Sequence, residues 1–329
     1  MLNSDSRLRA LFALLAAIVL ALGIAACGDD DDDDGGDGGD GGSAQAIESN
    51  PDNSGTEITV GSKNFTEQIV LGEIYAQALE AAGYTVQTDL NLGSEQVALR
   101  ALEAGEISGY PEYTTTALTT FFGAAPEDVP TDLAEAADQA RTEFEAQDLV
   151  MFEPAPFQSE NAVGLLSSRA DELGVETISD LEGQSDQLTL FGSPECRQRS
   201  DCLLGLQDGY GLQFAKFTPV DIEQRYAVLD DGQADLSILF TTDGELANSD
   251  EYVILEDDQN VFPAAGNPAF VTDQATVDQA GTDYQETIEA VQEGLTEEVM
   301  QELNARVDID REQPTEVARQ YLREEGYIE

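Results

Sequence analysis

A chain of 329 residues with 67 acidic and only 14 basic side chains carries a formal charge of −53 at pH 7. Such an excess argues against nucleic acid as a partner and against docking on anionic lipid through a basic patch. There is no histidine anywhere, so Ser-His-Asp and Cys-His catalysis and histidine metal sites are excluded. Acid-rich, lysine-poor composition also suits high salt, where screening blunts self-repulsion, although an acidic tether accounts for part of it.

Arg7 and Arg9 precede an apolar run from Ala10 to Ile24 that stops at Ala25-Ala26-Cys27-Gly28. The run is too short and wrongly flanked for a membrane span and reads as a signal peptide, residues 1–26. Its end resembles the lipobox of bacterial lipoproteins, which makes Cys27 a lipidated membrane anchor. A plain cleaved signal with an incidental cysteine is the alternative, and both readings place the protein at the cell surface or in the periplasm. Asp29 to Asp34 and the Gly/Asp run behind them bury nothing and repel one another, so residues 27–56 are expected to form a disordered tether. No residue there fixes the geometry a metal would need.

Glu57 to Val60 is a short β-type run, followed by Gly61-Ser62-Lys63-Asn64-Phe65-Thr66-Glu67-Gln68. Lysine occurs only at 63 and 216. At a strand-to-helix turn, free backbone N–H groups and the positive helix end favour an anion, and Lys63 adds a point charge, so a carboxylate ligand is the natural guest. A solvated lysine beside an ordinary cap is the other reading of this octapeptide taken alone. Asn64 is predicted to cap a helix, with Glu67 three residues on and an apolar face from Val70 to Leu79 that stops at Gly83. Tyr84–Leu90 alternates as a strand, Ser94 opens a helix that closes at Gly105, and a strand follows at Ile107–Tyr110. Further strands are expected at Leu149–Phe152, Ala162–Leu166, Leu188–Phe191, Ala234–Leu239 and Tyr252–Leu255. Helices are expected near Thr131–Gln147, Asp283–Glu293 and Pro314–Glu325. Alternation of strand and helix means α/β with a mostly parallel sheet.

Two distant segments match. One helix stop, Gly105, is followed eight residues later by Tyr113-Thr114-Thr115, and another, Gly232, by Phe240-Thr241-Thr242; Glu95-Gln96 and Glu223-Gln224 stand near the two helix starts. Each unit delivers an aromatic ring and two hydroxyls to the C-terminal end of a strand, where open α/β sheets bind ligands. Coincidence between two helix–Gly–strand units is the alternative. Cys196 and Cys202, an even pair in an oxidising compartment once Cys27 is taken by lipid, are expected to close a small disulfide loop.

With the octapeptide, the Tyr-Pro-Glu-Tyr-Thr-Thr-Thr run and the Phe-Thr-Thr-Asp-Gly run in this order behind a lipobox, the chain resembles the substrate-binding lipoproteins of ABC importers for osmoprotectants such as glycine betaine, choline and carnitine. The resemblance covers roughly 57–327. It implies a two-lobed periplasmic-binding-protein fold of type II, with two mixed sheets flanked by helices and a hinge of two crossover segments. Lobe 1 would comprise 57–156 and 259–329, and lobe 2 would comprise 157–258. By motif, Lys63, Thr116 and Arg199 fall where the family contacts a ligand carboxylate, Arg199 as a bidentate clamp, and Tyr113 and Phe240 match two walls of a trimethylammonium cage. The partners implied are the solute, an ABC permease with its ATPase subunits, and the membrane through the lipid.

Departures bear on the ligand. Asn161 stands where a cage ring is common, and the segment 262–267 lacks another family tyrosine. Phe157, Phe262 or Tyr110 would have to fill the gap, or the ligand differs, and Glu160 could supply charge in place of a ring face. A different polar or zwitterionic solute such as ergothioneine, ectoine or an amino acid is the alternative, with a secreted enzyme or an adhesive surface protein further off. No catalytic residue, cofactor or metal is assigned.

Overall fold

The computed structural model describes residues 45–247, 250–262 and 266–329. The signal peptide, Cys27 and the Asp29–Asp34 run lie outside the described residues, as do 263–265 in the segment expected to lack a tyrosine. Folded structure starts earlier than expected. Ile47 packs on the core and its N–H donates to the Tyr327 carbonyl, Pro51–Gly55 forms a 3-10 turn, and Asn50 and Asn53 both donate to Asp283. Residues 46–56 have left the Gly/Asp composition behind and are part of the domain rather than of a tether.

Among the described residues ten strands make two five-stranded sheets. The first holds β1 (Glu57–Gly61), β2 (Thr85–Asp89), β3 (Gly109–Tyr113), β4 (Leu149–Met151) and β10 (Pro268–Asp273) in the order β2-β1-β3-β10-β4. The second holds β5 (Asn161–Leu166), β6 (Thr189–Gly192), β7 (Lys216–Pro219), β8 (Leu236–Phe240) and β9 (Tyr252–Ile254) in the order β7-β6-β8-β5-β9. In each sheet four strands run in one direction and one, β10 in the first and β5 in the second, runs against them. The sheets are therefore mixed and share one topology, in which β3 and β8 occupy equivalent positions.

The chain passes from the first sheet to the second after β4 and returns after β9. Ser159 in one crossover and Gly266 in the other meet in an antiparallel bridge. A pair of strands touching at one point is a hinge in its simplest form.

Alternation along β10 divides the first core. Phe270 packs on one side with Tyr75 and Tyr284, while Ala269 and Val271 pack on the other with Tyr110 and Met151. Strand β3 starts two residues later than expected, at Gly109, which leaves room for Phe270. A Cβ at Gly109 would lie 2.2 Å from its ring. Pro111 is tolerated inside this strand because β1 pairs with β3 only at Val60–Gly109, so no partner awaits the missing N–H. Helix α1 (Thr66–Ala81) is buried on most of its surface, and α2 (Glu95–Glu103) follows β2.

One expected cap is absent. α1 begins behind Phe65 with no side-chain cap, and Asn64 instead gives its backbone N–H to Gly93. Glu67, freed from a capping role, turns inward, where the Tyr113 hydroxyl and the Asn304 amide donate to it.

Candidate functional site

The parallel strands β3 and β8 end on one cleft, a cavity of about 260 Å³. All six side chains expected to bind a ligand line it: Lys63, Tyr113, Thr116, Asn161, Arg199 and Phe240. Tyr113 and Phe240 are the last residues of equivalent strands, as the matched segments predict.

Between them stands a ring that sequence reasoning missed. Phe65 lies 6.3 Å from Tyr113, nearly parallel to it, and 5.2 Å from Phe240. Phe262 also lines the cleft. Phe157 and Tyr110, the other candidates for the gap, are core residues, and the Tyr110 hydroxyl donates to Glu112. Three rings at these spacings present an apolar, electron-rich wall suited to a poorly hydrated cation.

Two of the three residues, Tyr113 and Phe240, are held by carboxylates. The Tyr113 hydroxyl donates to Glu67, whose carboxyl burial pushes up in pKa against the opposing bonds from Thr242, Tyr113 and Asn304. Burial first, then the nearby Glu67, keeps the Tyr113 phenol protonated well above its ordinary range. Asp243 accepts from the Phe240 N–H at 2.9 Å and from the Tyr226 hydroxyl at 2.9 Å, and Arg225 forks onto it. The Arg225 guanidinium stands 5.0 Å from the Phe240 ring centre.

The expected anion-binding cations are already engaged within the chain. Lys63, 4 % exposed, donates to Glu112 and lies 4.4 Å from the Tyr113 ring centre. Arg199 forks onto Asp201 through Nε at 2.8 Å and through Nη2, while Nη1 stands 3.7 Å from Glu95. Burial opposes the charge on Arg199, but Asp201, Glu95 and Glu112 outweigh it and raise its pKa. The bidentate clamp anticipated for a ligand carboxylate thus closes on an internal one.

Asn161 opens β5 opposite Phe240 and gives its amide to the Asp201 carbonyl at 3.0 Å. It positions the Arg199–Asp201 loop, which the Cys196–Cys202 disulfide closes from behind. Thr116 lies buried in the turn after β3. Glu160 is exposed at the cleft, and partial desolvation of its carboxyl by the cleft walls, with Asp257 and Glu297 nearby, raises its pKa. Among the described residues no group of three or more His, Cys, Asp or Glu could hold a metal ion, and no helix is long and apolar enough to cross a membrane.

Two mixed sheets of one topology, two crossovers and a shared cleft define a two-lobed binding protein of the type II periplasmic kind. The chain belongs to the family described as the substrate binding domain of ABC-type glycine betaine transport systems, which matches residues 56–324. It is similar to a glycine-betaine-binding protein of Pseudomonas aeruginosa, 31 % identical over 283 residues that span 83 % of this chain and 89 % of the relative. A carnitine transport binding protein of Listeria monocytogenes, OpuCC, is 25 % identical over 281 residues, 84 % of this chain and 89 % of that one. The crystal structure of a glycine betaine/carnitine/choline ABC transporter superposes with a TM-score of 0.65 at 24 % identity, covering 83 % of this chain and all of that one, which shows the fold.

Proposed function

We propose that this chain captures a quaternary-ammonium compatible solute, glycine betaine or a relative, in the cleft and presents the closed form to an ABC permease and its ATPase subunits. The observation that carries this reading is the set of three rings: Tyr113 and Phe240 at the ends of equivalent strands, with Phe65 between them. Each wall contributes on the order of 0.5–2 kcal/mol toward a desolvated cation. Lys63, Thr116, Asn161 and Arg199 make the polar end. Sheet membership and the packing of 46–56 support lobes of 46–156 with 259–329 and of 157–258, rocking about the two crossovers so that binding energy drives closure. The protein binds and does not turn over its solute. It works outside the cytoplasm, tied to the membrane by a lipid on Cys27, in salt-rich surroundings.

Isothermal titration calorimetry against glycine betaine, proline betaine, carnitine, choline, ectoine and ergothioneine tests the reading. Saturable one-to-one binding of a quaternary-ammonium compound is expected. Heat only with ectoine, or with no solute at all, from a folded protein would overturn it.

A further inference from the structure

The charges lining the cleft fall into matched pairs with a surplus of one sign. Among the described residues three cations face it, Lys63, Arg199 and Arg225, and each has a carboxylate of its own: Glu112, Asp201 and Asp243. Glu112 and Asp243 are 1 % and 2 % exposed, so these pairs are shielded from solvent and are screened little by salt. Beyond the pairs, Glu95, Glu160, Glu195 and Asp221 also line the cavity. Glu95 reaches toward the Arg199 guanidinium, so the one arginine nitrogen outside the fork already faces a second carboxylate.

We propose that the cleft selects a quaternary-ammonium compound of net positive charge, with an uncharged second polar group, over a zwitterion that carries a carboxylate. The inference rests on the reading of the cleft as a quaternary-ammonium site and adds the chemistry of the ligand's other end. A ligand carboxylate entering beside Lys63 and Arg199 must either displace a buried internal carboxylate or stand next to it, and like charges brought together in a desolvated site are costly. A hydroxyl has no such conflict, because it can donate to any of the surplus carboxylates and accept from Thr116. The ammonium end gains from the same surplus. Lys63 and Arg225 lie against the Tyr113 and Phe240 rings, but as halves of neutral pairs they repel a third cation only weakly.

Choline and glycine betaine share the trimethylammonium head and differ at the other end, a hydroxyl against a carboxylate, so they isolate the effect. Both would be titrated into the unit Ser43–Glu329, which contains both sheets and all three cores, at pH 7.5 and moderate salt. Choline is expected to bind about tenfold or more tightly than glycine betaine. Glu95→Gln and Asp201→Asn, which release Arg199 from its internal partners, are expected to narrow that ratio. Glycine betaine binding as tightly as choline or more so would overturn this inference and leave the quaternary-ammonium reading intact. Saturable binding of neither would remove that reading and this one with it. Should Asp201→Asn fail to fold, Glu95→Gln and the wild-type ratio still decide the matter.

Discussion

Phe65 joins the two halves of the aromatic wall, because it comes from the turn before α1 yet packs within 5.2 Å of Phe240 on the other sheet. Replacing Phe65 by Ala removes one ring face and the packing that aligns the other two. Affinity for the best quaternary-ammonium ligand should fall by about 2- to 30-fold, corresponding to ~0.5–2 kcal/mol. Phe65→Leu should lose nearly as much, since it keeps apolar bulk but not the π face. Calorimetry reads both, and an unchanged dissociation constant in either variant would take Phe65 out of the wall. The residues legible in the sequence were the rare or repeated ones: Lys63 by scarcity, Tyr113 and Phe240 by matched offsets. Phe65 stood in the octapeptide in plain view, but its neighbours pointed to a helix cap, and nothing local says that the ring crosses to another sheet. Glu112, Asp201 and Asp243 were invisible for a different reason. Among 67 acidic residues only three-dimensional pairing distinguishes the ones that hold a cation.

The helix Gly244–Ala247 packs on the helix Glu297–Asp308, so close that a Cβ at Gly244 would lie 2.4 Å from the Ala305 backbone. This contact joins the segment after β8 to the segment that completes the first sheet's core. It buries carboxylates from both sides, with Arg225 as the counter-charge. Burial first, then Asp243 and Asp308 acting against the relief from Arg225, pushes the Glu245 carboxyl from 4.5 up to about 7, and Asp308 is raised as well, chiefly by burial. A carboxyl whose folded pKa is raised stabilises the fold while protonated, so Glu245 contributes fully below about pH 4.5 and loses that contribution as pH climbs to about 7. The melting temperature should therefore fall between pH 5 and 7.5, with Glu245 supplying a slope of at most about 1.4 kcal/mol per pH unit. Glu245→Gln should flatten the curve. Self-repulsion of so acidic a chain tilts both proteins the same way, so the difference between wild type and variant is the quantity to read, and parallel curves would sink the assignment. At this scale the long periodic elements were legible. Four-residue helices such as Gly244–Ala247 were not, because a single turn repeats no pattern.

Two lobes came from the family resemblance, with which the recurrence of helix, glycine and strand agrees, but the antiparallel strands and the Ser159–Gly266 bridge were not legible. They depend on pairing between segments about a hundred residues apart, which no local period encodes. Charge balance belongs to the whole molecule in the same sense. With 14 basic residues to 67 acidic ones, most carboxylates can meet no cation and face one another across the surface. Exposed pairs such as Arg169–Glu172 and Arg319–Glu316 contribute little and are screened away together with the repulsion. The buried pairs of the cleft persist, because solvent ions do not reach them. Adding salt therefore removes far more repulsion than attraction, and the melting temperature should rise steadily from 0.1 to 1 M KCl, by roughly 2–4 °C for each kcal/mol relieved. A flat or falling profile over that range would remove salt adaptation from the account of this chain. Most of the gain should come below about 1 M, where the screening length contracts from about 10 Å to about 3 Å and becomes shorter than the spacing of surface carboxylates. A rise that continued undiminished at higher concentration would come from exclusion of salt from the protein surface, and a comparison of KCl with potassium sulfate at equal ionic strength would separate the two causes.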